Sequence, residues 1–532
     1  MPDIAIIGGG LCGLSLAETL HRQGRDVAVY EARDRLGGRI LSIPAETSGL
    51  MLDLGASWIW AASQPRLARM VASLGLSTFT QHDPGDALFL EQADEAPVAR
   101  QAPGIHNGAQ RLERGMGALV NALAARIPET AFHPRHRLVS AHDEGDGVVL
   151  TFETADGSHD VRANLAILAA PPRLIAETVA FTPPLQAHVR EAMQETGTWM
   201  ASQAKVMVAY DAPVWRGEGR SGNAFVTHDQ AVLGEVFDAS DRKGEAAALG
   251  GFLALGPQAR EAFETGLPML IESQLEQLFG PSLGKGEQHL VDWAKDGCAC
   301  SSRDLSDPRQ PAQAPIANPY LRRALWQGRL YLGGSETAAA GAGYLEGALD
   351  AAARINRQIQ ASEEAQEAAS PLSSAPSSVN GASLAAFNTV VADLSANAFD
   401  GYRQRLIRRL SNQEREQLTQ RAVLETFEDV FRKSLDNLRG LDFEMEDVSV
   451  ENGRCAYTPL VQAPFRGLMQ SLLDDVIAFN QTSCALSNFP DEHDLPRDYW
   501  QTILRDVAAA WREFSLHANQ TLLDKSELSR KG

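Results

Sequence analysis

The residues with the clearest chemical content stand at the start of the chain. An apolar run at residues 3–7 (DIAII) leads straight into Gly8, Gly9, Gly10, Leu11, Cys12 and Gly13, and then into apolar residues at helical spacing. Strand, glycine turn and helix in that order suit a dinucleotide. Gly8 permits a tight turn, Gly10 lets the backbone approach a pyrophosphate, and Gly13 lets helix and strand touch. The helix N-terminus then offers free N–H groups and the positive end of its dipole to the phosphates. Glu31 closes the next apolar run, where a carboxylate can accept hydrogen bonds from ribose hydroxyls and would repel the 2′-phosphate of NADP. A ligand-free turn would need none of these features together.

The following residues extend the ligand. EARDRLGGR (31–39) adds Ala32, Arg33, Gly37, Gly38 and Arg39, a second glycine-plus-arginine element just past the ribose carboxylate. A nicotinamide cofactor has no use for it, whereas the longer FAD needs further cationic and backbone donors. This stretch resembles the flavin-containing amine oxidase superfamily, which includes monoamine, polyamine and L-amino-acid oxidases. Three more segments are similar to that family: DLGASWIWA (53–61), QAKVMVAYDAPVWR (203–216) and LGGSETAAAGAGYLEGALDAA (332–352). The resemblance spans about residues 3–358. It implies FAD contacts from Gly55, Ala56, Ser57 and Trp58, from Val139, and from Gly334 and Glu336, the last toward the ribityl–phosphate region. It also implies Lys205 in a water-bridged contact near flavin N5, with Gly343, Tyr344 and Leu345 edging the isoalloxazine. Lys205 and Tyr344 are therefore the expected catalytic residues.

The same resemblance leaves two questions at residues 293–301. DGCACS (296–301) aligned with the monoamine oxidase cysteine puts Ala299 where a second cage tyrosine stands, and makes Cys298 or Cys300 the candidate for a covalent flavin link. Aligned from Trp293, WAKD instead resembles the element of bacterial members that hold FAD noncovalently. We expect noncovalent FAD, with Trp293 among its contacts. Trp60 stands where polyamine oxidases carry histidine, and Trp199 precedes the lysine strand, so both are candidate pocket residues that could equally be core. An amino-acid oxidase would want an arginine for the carboxylate, for which Arg173 and Arg216 are open candidates.

Residues 3–7 and 26–32 read as parallel strands around a helix, a βαβ unit. VVLTFET (148–154), LAILAAPP (165–172) and RLYLGG (329–334) read as strands, AKVMVAYDAPVW (204–215) as a half-buried strand ending in a turn, and residues 343–359 as a helix. The expected fold is α/β: a Rossmann-like FAD-binding domain (about 1–60, 130–172 and 325–359), a mixed-sheet substrate domain (about 61–129 and 173–324), and an all-α C-terminal domain. Together the first two form a module over 1–359. Residues 360–384 are poor in large apolar side chains and read as a flexible linker. Residues 385–532 read as helices forming a bundle, with a capping box at Ser411 and Glu414.

Composition narrows the class. The chain has 532 residues, 44% hydrophobic, and a net charge of −20, which argues against nucleic acid or an anionic membrane as partner. No apolar run approaches the ~20 residues that span a bilayer, and no secretory leader precedes the first strand, so a cytoplasmic enzyme is expected. Five cysteines, Cys12, Cys298, Cys300, Cys455 and Cys484, lack paired zinc spacing and read as reduced thiols. No metal site is expected; in the tail, Glu425, Glu428, His493 and His517 are too few for a di-iron centre. The expected activity is oxidation of a carboxylate-free amine by FAD, with dioxygen as acceptor and hydrogen peroxide as product, and with the tail serving dimerisation, an entrance cover or a partner protein. The rivals are an amino-acid oxidase, a desaturase or protoporphyrinogen-type oxidase, and a scaffold that keeps FAD as a folding ligand.

Overall fold

A computed structural model describes the chain except for residues 1, 307–317, 370–377, 413–415, 446, 447, 449, 452, 484, 485, 487, 488 and 532. It divides into two compact units, 1–359 and 360–532.

The first unit is built on a six-stranded sheet in the order Phe132–His133, Val27–Tyr30, Ile4–Ile7, Leu165–Leu168, Leu330–Leu332, Ala324–Leu325. All neighbours run parallel except the last pair. Side chains alternate across the pleat, and both faces are buried. Ile4, Ile6, Val27 and Val29 meet the helices Leu11–Arg22 and Leu345–Ala369. Ala5, Ile7, Ala28 and Tyr30 meet Leu138, Leu150 and Phe152 of a four-stranded sheet. That is why these strands read as continuous apolar runs.

A seven-stranded mixed sheet follows the order Glu287–Asp292, Ala204–Tyr210, Ala247–Leu253, Leu233–Asp238, Arg220–Val226, Asp86–Leu90, Val98–Gln101. The lysine strand is not half-buried as its alternation predicts: all seven residues of Ala204–Tyr210 are buried. Val206 and Val208 pack with the helix Leu267–Phe279, while Met207 and Ala209 pack with Leu52, Leu54 and Phe237. Two covers, each from a distant part of the chain, bury both faces.

In the second unit the long helices are Ser378–Ser411, Leu418–Gly440, Phe465–Thr482 and Arg497–Lys531. Phe427, Phe431, Phe465 and Phe514 form its aromatic centre, with Phe431 and Phe514 stacked at 5.0 Å. The expected linker is helical at both ends, through Ala369 and from Ser378, because its Ala and Glu residues have high helix propensity. Ser411 does not start a helix but ends one, donating to Ile407 O, and Glu414 lies outside the described residues. The next helix is capped instead by the buried carboxylate of Glu492, which accepts from Leu418 N at 2.7 Å and Thr419 N at 2.9 Å.

Candidate functional site

The glycine turn opens on a cavity of about 410 Å³. Gly8 holds φ of +111°, and a Cβ there would stand 2.5 Å from Ala169 O. At Gly13 a Cβ would meet Gly8 O at 2.0 Å, so strand and helix touch only through glycine. Gly13 thus shapes the turn from behind and does not line the cavity. Gly10 does line it, and a Cβ there would meet nothing nearer than Gly38 Cα at 4.0 Å, so it would take up cavity space. The helix that begins at Leu11 has no side-chain cap on its N-terminus. Uncapped N–H groups beside an open backbone approach are what a pyrophosphate requires.

Glu31 is buried, accepting from Gly9 N at 2.8 Å and Arg33 N at 3.0 Å. Each oxygen keeps a lone pair for a further donor. Arg33 donates to Asp296 Oδ2 at 2.7 Å, and the other Asp296 oxygen accepts from Cys298 N. Arg137 donates to Cys298 Sγ at 3.3 Å. Cys298 therefore belongs to the Glu31 end of the cavity. Cys300 is buried away from the wall, and burial pushes its thiol up to about 12.

Arg39 stands on the wall between the two ends. It pairs with Glu336 at 2.7 Å and donates to Trp199 O at 2.8 Å and Ser335 Oγ at 3.0 Å. Glu336 is completely buried behind Arg39 and does not line the cavity, contrary to the direct contact expected of it. Its charge reaches the cavity only by fixing the guanidinium. Val139 is also off the wall. It sits at a register shift between Leu138 and Ser140, and the pleat turns Leu138 inward instead.

At the other end Lys205 is 2% exposed. Its Nζ donates to Gly55 O at 2.9 Å and Ser57 Oγ at 2.5 Å, and lies over the rings of Trp58, Phe237 and Phe252. Burial brings it down from 10.5 to about 7, with Asp53 and Glu235 raising it and Arg111 lowering it further. Trp60 lines the cavity and packs on Trp58. Tyr344 is 42% exposed on the wall, with Trp199 against it at 5.6 Å. The aromatic partner of Tyr344 thus comes from the segment before the lysine strand, and Ala299 on the wall adds no ring.

A model of the family described as flavin containing amine oxidoreductase matches residues 100–360, and one described as an NAD(P)-binding Rossmann-like domain matches residues 6–74. The chain belongs to the flavin-containing amine oxidase superfamily. It is similar to amine oxidase [flavin-containing] B of Sus scrofa, 22% identical over 67% of this chain and 86% of that protein. To putrescine oxidase of Kocuria rosea it is 41% identical, over 16% of this chain and 18% of that protein. Among solved structures, cyclohexylamine oxidase from Brevibacterium oxydans superposes with a TM-score of 0.54 at 19% identity, covering 69% of this chain and 99% of that one. That likeness shows the fold. As a member of this superfamily the chain is an FAD-dependent amine oxidoreductase.

The superfamily's cofactor fits the residues present: an uncapped helix N-terminus, an open Gly10, a fixed Arg39 and a buried acid at Glu31 meet one cavity. Leu11, Cys12, Ala32, Arg33, Gly37, Gly38, Gly55, Ala56, Ser57, Trp58, Trp293, Gly334, Gly343 and Leu345 all line it as well. Trp293 is held by a hydrogen bond to Leu54 O at 3.2 Å. Sequence reasoning missed His136, Arg137, Gln203 and Phe252 on the wall. Arg137 had a signal in its place at the start of a strand, but nothing local shows where that strand lies. Arg173 and Arg216 are not on the wall; they are engaged by Asp304 and Asp238 at 2.7 Å each. Among the described residues no cluster could hold a metal and no helix is long and apolar enough to cross a membrane. Cys12, Cys298, Cys300 and Cys455 are free thiols, while Cys484 lies outside the described residues.

Proposed function

We propose that this chain oxidises a carboxylate-free amine at the carbon next to nitrogen, with noncovalent FAD and with dioxygen as the terminal acceptor. Bound FAD supplies a hydride acceptor at N5, and the imine product hydrolyses to a carbonyl compound and ammonia or an amine. The observation that carries the reading is Lys205, a buried lysine brought to about 7 on the cavity wall. Its Nζ spends two contacts on Gly55 O and Ser57 Oγ and keeps one position for a water. Tyr344 and Trp199 present aromatic surface that orients a neutral amine, and Trp58, Trp60 and Phe252 exclude bulk water.

Noncovalent attachment is supported by the positions of the two cysteines, Cys298 beside Arg33 and Arg137 and Cys300 off the wall, neither next to Lys205. The engagement of Arg173 and Arg216 by buried aspartates supports an amine without a carboxylate over an amino acid. The test mixes the yellow protein anaerobically with primary, secondary and polyamines. Loss of the flavin's visible absorption with one of them, followed by peroxide when oxygen is admitted, is the expected result. No bleaching by any amine would return the desaturase and scaffold readings. Acid precipitation should leave the colour in the supernatant; a yellow pellet would overturn the noncovalent assignment.

A further inference from the structure

The chain leaves the cavity wall after Trp60, runs through the exposed Ala61, Ala62 and Ser63, and returns to the wall at Gln64. Gln64 is only 8% exposed. The turn is closed twice: Gln64 N donates to Trp60 O at 2.8 Å, and Trp60 N donates to Gln64 Oε1 at 2.9 Å. The helix that follows is docked by Glu346, whose carboxylate accepts from Arg66 N at 3.1 Å and Leu67 N at 3.0 Å. Gln64 is thereby fixed next to the segment that carries Tyr344 and Leu345, which line the same cavity.

The bond from Trp60 decides how the amide is oriented. A backbone N–H can only donate, so the amide oxygen must face Trp60, and the NH2 group is the end left for the cavity. Among the described residues nothing accepts a hydrogen bond from Gln64 Nε2. Other polar ends on this wall are engaged by the protein: Trp58 Nε1 donates to Gln81 Oε1 at 3.0 Å, and Lys205 donates to Gly55 O and Ser57 Oγ. The amide therefore offers the cavity two donors and no acceptor. Such a group repels an ammonium. A plain hydrocarbon chain lying against it would displace water and leave both N–H groups unpaired.

We infer that Gln64 is a specificity residue that donates to an uncharged oxygen of the substrate, so that the preferred amine carries an ether, hydroxyl or carbonyl group. The inference rests on the amine oxidase reading and deepens it. Lys205 and the Tyr344–Trp199 pair serve the reacting end of the amine, and Gln64 reads the rest of the molecule. Because the turn holds Gln64 in one place, the preference depends on where along the chain the oxygen lies.

The experiment measures kcat/KM of the holoenzyme for unbranched primary amines and for the same chains with one methylene replaced by an ether oxygen, moved one position at a time. In the wild type the ether should exceed its hydrocarbon counterpart by about tenfold or more at one position, the effect of leaving a buried donor unpaired. Gln64→Glu keeps an oxygen for Trp60 N–H and removes the amide donor, whereas Gln64→Leu removes both. Each should bring the ratio at that position toward one at an unchanged flavin-to-protein ratio. Using the same substrates in wild type and variant cancels the oxygen's inductive effect on the amine. A wild-type ratio near one at every position, or an undiminished ratio in either variant, would overturn the inference while amine turnover still stood. Absence of flavin reduction by any amine would remove both readings together.

Discussion

The Lys205→Met substitution tests the electrostatics on which the mechanism depends. Lys205 titrates near 7 instead of 10.5, chiefly because burial withholds water from its ammonium form. Between those values the folded chain binds fewer protons than the unfolded chain. Lys205 therefore destabilises the fold at neutral pH, and the penalty fades as pH rises toward 10.5. At 1.36 kcal/mol per unit, a shift from 10.5 to about 7 amounts to about 5 kcal/mol in the low-pH limit. From roughly pH 7.5 to 9.5 the wild type should gain about 2.5 kcal/mol relative to Lys205→Met. The contacts to Gly55 O and Ser57 Oγ are lost in the variant, but that cost is the same at both pH values and drops out of the comparison. Urea unfolding of both proteins, followed by tryptophan fluorescence, measures the difference. A stability gap that stays constant across this range would mean that the lysine titrates normally in contact with water, and the argument for a neutral amine at this site would fall with it.

Two further substitutions probe the cofactor cradle. Gly13→Ala places a methyl 2.0 Å from Gly8 O, so the turn must open; the purified protein should lose most of its flavin, read from the ratio of visible to ultraviolet absorbance. Arg39→Met strands the fully buried Glu336 without its cation. The expected cost is about 3–5 kcal/mol, seen as a lower thermal midpoint, and a companion Arg39→Met, Glu336→Gln double variant should recover part of it.

The parts of the site legible in the sequence are those whose physics is local. The glycine turn, its strand and its helix lie within about twenty residues, and Gly13 answers a clash with Gly8 O inside that stretch, although the carbonyl that Gly8 must clear, Ala169 O, comes from the end of a distant strand. Glu31 follows from the βαβ unit it closes, whereas Lys205 and Tyr344 stand out only through the resemblance of their segments to the family; all three reach one cavity. What tertiary structure decided depends on partners far away in sequence. The second ring beside Tyr344 is Trp199, brought there across 145 residues, as 344 less 199. Glu336 faces Arg39 from 297 residues away, as 336 less 39, which is why it serves that arginine and not the cavity. Glu492 caps a helix that starts 74 residues before it, where the local pattern pointed to Ser411. Local sequence dictates turns, periodicity and the residue types at a binding element; which side chains then share a wall is settled by sheet register and by the faces that distant segments cover, and one strand read alone contains neither.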